Sequence, residues 1–167
     1  MSGESKPGTV PRQEEPGTVP GAPDAFAELR ALYREFDEAT ARVAPVCRAS
    51  GRCCDFEAYG HTLFASRLEV DLLLADAGLE SFDPATKLCP FWLDRKCAAR
   101  GPRPLGCRAF FCDGAKEEAM GVLHEAHLRR VKDLHDRHGI PWNYAPLLRH
   151  LADAVPRPAA AVAPREA

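Results

Sequence analysis

Apolar side chains at Phe26, Leu29, Tyr33, Phe36 and Val43 recur every three to four residues, the spacing that lines one face of an α-helix. Asp24 can cap that helix and Pro45 can stop it, so the pattern predicts a first helix between them. A second helix is predicted from Ser66-Arg67-Leu68-Glu69, where the Ser66 hydroxyl and the Glu69 carboxylate can each satisfy a free amide of the other, and runs through Leu72 and Leu73 to Gly78. Met120, Leu123, Val131 and Leu134 mark a long helix over about 115–138, closed by Gly139 and Pro141. A short helix over 146–155 follows. Phe56 to Phe64, aromatic and β-branched with Gly60 inside, suits a short strand or hairpin. Between 79 and 114, repeated prolines and glycines argue against long regular elements.

The ends of the chain lack this patterning. Residues 1–23 hold five prolines and almost no bulky apolar group, and Pro-Gly-Thr-Val-Pro occurs at 7–11 and again at 16–20. Such a segment cannot bury enough surface to order itself and reads as a tail, as does 156–167. The expected folded unit is 24–155, a single domain in a chain of 167 residues. The fold class expected is α+β, small and mostly helical, with an irregular cysteine-rich lobe.

A net charge of -2 supplies no global attraction to nucleic acid or to an anionic membrane. The start has no basic cluster leading into an apolar stretch, and no 18-residue apolar run occurs, so the expected location is the cytoplasm, with no membrane partner. In that reducing setting thiols stay free or bind metal.

Seven cysteines therefore change the picture: Cys47, Cys53, Cys54, Cys89, Cys97, Cys107 and Cys112. All seven are candidate metal ligands, with Cys53 or Cys54, Cys89, Cys97, Cys107 and Cys112 expected as the essential set and Cys47 and the remaining thiol as accessory, and with zinc or iron, including an iron–sulfur cluster, as the cofactor. Zinc takes four ligands in a tetrahedron, commonly from two short-spaced pairs, and Cys107 with Cys112 could be one pair. Iron–sulfur clusters tolerate irregular spacing because each cysteine meets a different iron, which suits the uneven intervals here. Adjacent Cys53 and Cys54 are harder to place on one ion, since consecutive side chains tend to diverge. Buried inert thiols are the alternative.

Cys47-Arg-Ala-Ser50-Gly-Arg-Cys53-Cys54, then Cys89-Pro90-Phe91-Trp92-Leu93 with Cys97, then Arg103-Pro104-Leu105-Gly106-Cys107-Arg108-Ala109-Phe110-Phe111-Cys112, resembles the YkgJ-type cysteine-cluster family, the CxxCxxCC zinc- or iron-chelating domain. The resemblance covers about 47–113 and implies a bacterial cytosolic metal-binding module, with some relatives linked to flagellin lysine methylation. The chain departs from the name-giving motif at Ser50, where a hydroxyl replaces a thiolate.

Arg95, Lys96, Arg100, Arg103 and Arg108 lie among these thiols with no acid in the same window. Cations there would stabilise an anionic thiolate site and lower thiol pKa, although Arg95 and Lys96 also suit plain solvated surface. Phe91, Trp92, Phe110 and Phe111 fit the apolar wrapping of such a site better than a stacking platform for nucleic acid. His61 could complete a Cys3His zinc site or serve as a buried strand histidine. His124 and His127 share a helix face, but without a partnering carboxylate motif they read as core-edge or surface residues. No phosphate loop, nucleophile elbow or dinucleotide fingerprint is present, so no catalytic residue is assigned. The expected function is metal binding, with electron transfer if the metal is iron–sulfur. An accessory role in a protein-modifying system, or a zinc-held interaction module with a protein partner, is the alternative.

Overall fold

The computed structural model describes residues 22–48, 51–94 and 96–158. The tail assignments for 1–21 and 159–167, Ser50 and Arg95 lie outside the described residues. The elements are α1 (Ala22–Val43), β1 (Phe64–Ser66), α2 (Arg67–Ala77), β2 (Trp92–Leu93), β3 (Lys96–Cys97), α3 (Leu105–Ala109), a 3-10 turn (Gly114–Lys116), α4 (Glu117–Arg137), β4 (Tyr144–Pro146) and α5 (Leu147–Ala154). The arrangement is a small α+β domain, mostly helical, with two short two-stranded ribbons.

Local chemistry accounts for most boundaries. Ser66 caps α2 in a capping box whose two hydrogen bonds are both formed, and Gly78 ends the helix at φ 66. Gly139, at φ 62, follows α4 as expected. At α1 the helix already starts at Ala22, so Asp24 sits in its first turn, where a carboxylate favours the helix dipole, and does not cap it. The 56–64 segment is also not a hairpin. It turns through Gly60 (φ 61), and only at Phe64 does a strand begin, whose antiparallel partner is β4, some 80 residues away, with Ala65 opposite Ala145. Aromatic and β-branched content marked strand character there, but the pairing depended on a distant segment.

Two cores share α2. Leu68 and Leu72 pack with Leu29, Phe36, Leu105, Val131 and Leu134 between α1, α3 and α4. Val70 and Leu73 face the opposite way, into a second core with Phe56, Phe82, Cys89, Phe91, Leu147 and Leu151. Burial on both sides makes α2 the partition between the helical bundle and the cysteine lobe.

Glu69 ties these parts together. Its side chain is buried, and its carboxylate accepts from Tyr33 Oη (3.0 Å), Ser66 N (2.8 Å) and Leu105 N (2.8 Å). One carboxylate thus links α1, the start of α2 and the start of α3. No helix among the described residues is long and apolar enough to cross a membrane.

Candidate metal centre

Three segments carry the cysteine sulfurs to one place. After α1 the chain leaves through Ala44 in a left-handed conformation (φ 53), and Val46 N donates to Asp113 Oδ2, which holds the Cys47 segment against the start of α4. Gly51 (φ 78) opens a tight turn in which Cys54 N and Asp55 N both donate to Gly51 O. Cys89 N then donates to Cys54 O (2.8 Å) and Phe56 N to Lys87 O (3.2 Å), bracketing an antiparallel bridge between Asp55 and Leu88. Antiparallel register sets residues 54 and 89 opposite each other on one face, which brings two thiols together from sites 35 residues apart. The β2–β3 hairpin, turning at Asp94 (φ 47), pairs Cys97 with Trp92. Cys107 arrives on α3.

Cys47, Cys53, Cys54, Cys89, Cys97 and Cys107 line one cavity of about 300 Å3. Phe91, Trp92, Phe110 and Phe111 wall it, and Lys96, Arg100 and Arg103 stand at it. Cys112 is separate, lining a neighbouring cavity beyond the two phenylalanines. His61 lies on that far side too, stacked on Phe110 at 5.2 Å between ring centroids, rather than among the sulfurs. His127 and His138 belong to the scaffold: the first is buried with Nδ1 on Leu123 O, and the second meets Glu28 at 2.9 Å.

Cys53 Sγ and Cys54 Sγ are 3.8 Å apart. The turn at Gly51 overrides the expected divergence of consecutive side chains. Cys54 keeps its proton, because hydrogen bonding to Cys53, and then to Cys89 and Cys97, drives its pKa up. The same sharing holds Cys53 and Cys97 down to about 6 and lowers Cys89, with Arg103 adding to the effect at Cys53 and Cys97. Cys107 is pushed up, first by burial. Four thiols thus titrate as one proton-sharing group.

Two donors at this cavity have no acceptor among the described residues: Trp92 Nε1 and Arg103 Nε are both enclosed. Burial and the nearby Arg100 and Arg108 guanidiniums lower the Arg103 pKa. Orphaned donors beside thiols that lose protons readily form an environment suited to negative charge. Among the described residues, no three His, Cys, Asp or Glu side chains already enclose an ion position.

Arg108 is not at the cavity. Buried under Tyr33, it pairs with Asp37 of α1 (2.5 Å) and donates to the carbonyls of Gly101 and Arg103. It therefore fixes the loop that presents Arg100 and Arg103. The sequence window showed no acid near Arg108, because its partner lies 71 residues away. Gly51 was likewise missed as a site residue. A Cβ there would come within 2.6 Å of the Trp92 indole, so the aromatic wall and the cysteine turn need a glycine at that point. No protein-family model, curated protein or solved structure matches this chain.

Proposed function

We propose that this protein binds a soft metal through the cysteine cavity, with Cys53, Cys54, Cys89 and Cys97 as the principal ligands. The observation that carries the reading is the convergence of these thiols around Cys54, with 3.8 Å between the two adjacent sulfurs. Two thiolates on one zinc at the usual bond length and tetrahedral angle lie about 3.8 Å apart. The donor set fits: thiolates are the preferred ligands of zinc and iron–sulfur centres, and Arg103, Arg100 and the Trp92 N–H offset the charge that several bound thiolates carry. Because the side chains do not yet enclose an ion, loading draws the four sulfurs inward and couples metal affinity to the order of the lobe.

Bound zinc would clamp the Gly51 turn, the 89 segment and the β2–β3 hairpin together without redox change. Six sulfurs on one cavity exceed the need of a single tetrahedral ion, and that surplus favours an iron–sulfur cluster as the second reading, with electron transfer as its function. Cys107 and Cys47 would supply the additional ligands. Membership of the YkgJ-type cysteine-cluster family and a cytoplasmic setting are part of the same proposal, supported by the motif order alone.

Metal analysis of anaerobically purified protein with a visible spectrum tests it. Colourless protein with zinc supports the mononuclear reading, and brown protein with iron and matching sulfide supports the cluster. Metal-free protein that does not take up zinc or iron on reconstitution refutes both.

A further inference from the structure

Across Phe110 and Phe111 from the sulfur chamber lies a second cavity of about 630 Å3, bounded by α4 on one side and by Phe64 of β1 and Tyr144 of β4 on the other. His61 Nδ1, His61 Nε2 and His124 Nε2 are enclosed there with no hydrogen-bond partner among the described residues. A neutral imidazole carries one donor and one acceptor, and enclosed polar atoms are ordinarily paired. The His61 ring is nonetheless held firmly, stacked on Phe110 (5.2 Å, 19°) and edge-on to Phe56 (5.2 Å, 74°). Its position is fixed while its hydrogen-bonding edge is unmatched.

Gly121 adds an independent observation. It sits inside α4, one turn before His124, where a Cβ would meet nothing within 4 Å. Packing does not demand a glycine, and glycine is the poorest helix former after proline. The absent side chain keeps the cavity open beside His124.

The remaining walls narrow the class of ligand. The lining holds two carboxylates, Asp113 and Glu117, to the single guanidinium of Arg52, so no surplus positive charge recruits an anion. The volume far exceeds an ion, and it falls in the range of small-molecule sites. Phe64, Phe110, Phe111 and Tyr144 make the walls aromatic, and they already stack in part, Phe64 on Tyr144 (5.7 Å) and Tyr144 on Trp142 (5.5 Å), which is the kind of contact a further ring can extend. We infer that this cavity binds a small uncharged nitrogen heteroaromatic of nucleobase size, its ring among the aromatic walls and its donor–acceptor edge on His61 and His124. The site stands whether or not the cysteine cavity holds a metal.

The test uses the full chain with histidine-labelled imidazoles, titrated with adenine, cytosine and nicotinamide up to millimolar concentration. At least one probe should bind saturably, shifting the His61 and His124 ring signals and leaving His138, engaged by Glu28, unmoved. His124→Leu should weaken that binding about tenfold, the loss that accompanies one buried hydrogen bond. Gly121→Ala should raise the unfolding midpoint while weakening binding by a similar factor, which separates a ligand effect from a folding defect. The inference is overturned if none of the three probes produces a saturable shift, or if both variants bind as well as the parent.

Discussion

Removing the Glu69 carboxylate is the most revealing single perturbation of this fold. Three donors from three elements, Tyr33 Oη, Ser66 N and Leu105 N, end on its two oxygens inside the protein. Leaving a buried donor unsatisfied costs about 1–3 kcal/mol, so Glu69→Ala should destabilise the domain by about 3–6 kcal/mol. That is a large part of the about 5–15 kcal/mol that holds a domain folded. Glu69→Gln keeps one carbonyl oxygen for Tyr33 and Leu105 but turns an amino group toward Ser66 N, and should cost about 1–3 kcal/mol, the penalty of one unmade bond. Urea unfolding at neutral pH, followed by far-ultraviolet circular dichroism, measures both. A double-mutant cycle sharpens the argument: Tyr33→Phe should cost about 1 kcal/mol in the parent and be neutral to stabilising once Glu69 is alanine, because it then removes a hydroxyl that has lost its acceptor. An alanine variant within about 1 kcal/mol of the parent, or additive single effects, would refute the reasoning.

Further outcomes follow from the site and its supports. Cys54→Ser should remove most bound metal whereas Cys112→Ser retains it, as read by metal analysis, because only Cys54 sits at the centre of the thiol group. Gly51→Ala, forcing a left-handed alanine against the Trp92 indole, should cost about 1–3 kcal/mol and change tryptophan emission. Arg108→Ala strips the Gly101 and Arg103 carbonyls of their donor and should lower stability by about 2–4 kcal/mol in urea, with Arg108→Lys intermediate. His135 and His150 are buried and burial lowers their pKa, so the unfolded chain binds more protons as the pH falls through about 6.5. Stability should be full above that point and decline below it. A His135→Gln variant should show a shallower decline in unfolding midpoint between neutral pH and pH about 5.5.

Local signals were legible where a residue acts on its own neighbours. The Ser66–Glu69 box, Gly78 and Gly139 set helix ends through bonds spanning a few positions, and the apolar spacing of α1 and α4 marked their buried faces. Composition and the order of the cysteines were enough to make thiol chemistry the leading expectation, and Phe91, Trp92, Phe110 and Phe111 with Lys96, Arg100 and Arg103 do stand at the sulfur cavity, whereas Arg108 does not. Tertiary structure decided which thiols belong together. A turn at Gly51 and a single antiparallel bridge select Cys53, Cys54 and Cys89, while two phenylalanine rings set Cys112 and His61 apart, although Cys112 follows Cys107 by only five positions. The same holds for the β1–β4 pairing, the Arg108–Asp37 pair and the three-way use of Glu69. Each joins residues tens of positions apart, so periodicity and capping, which act within a few residues, carry no signal for it.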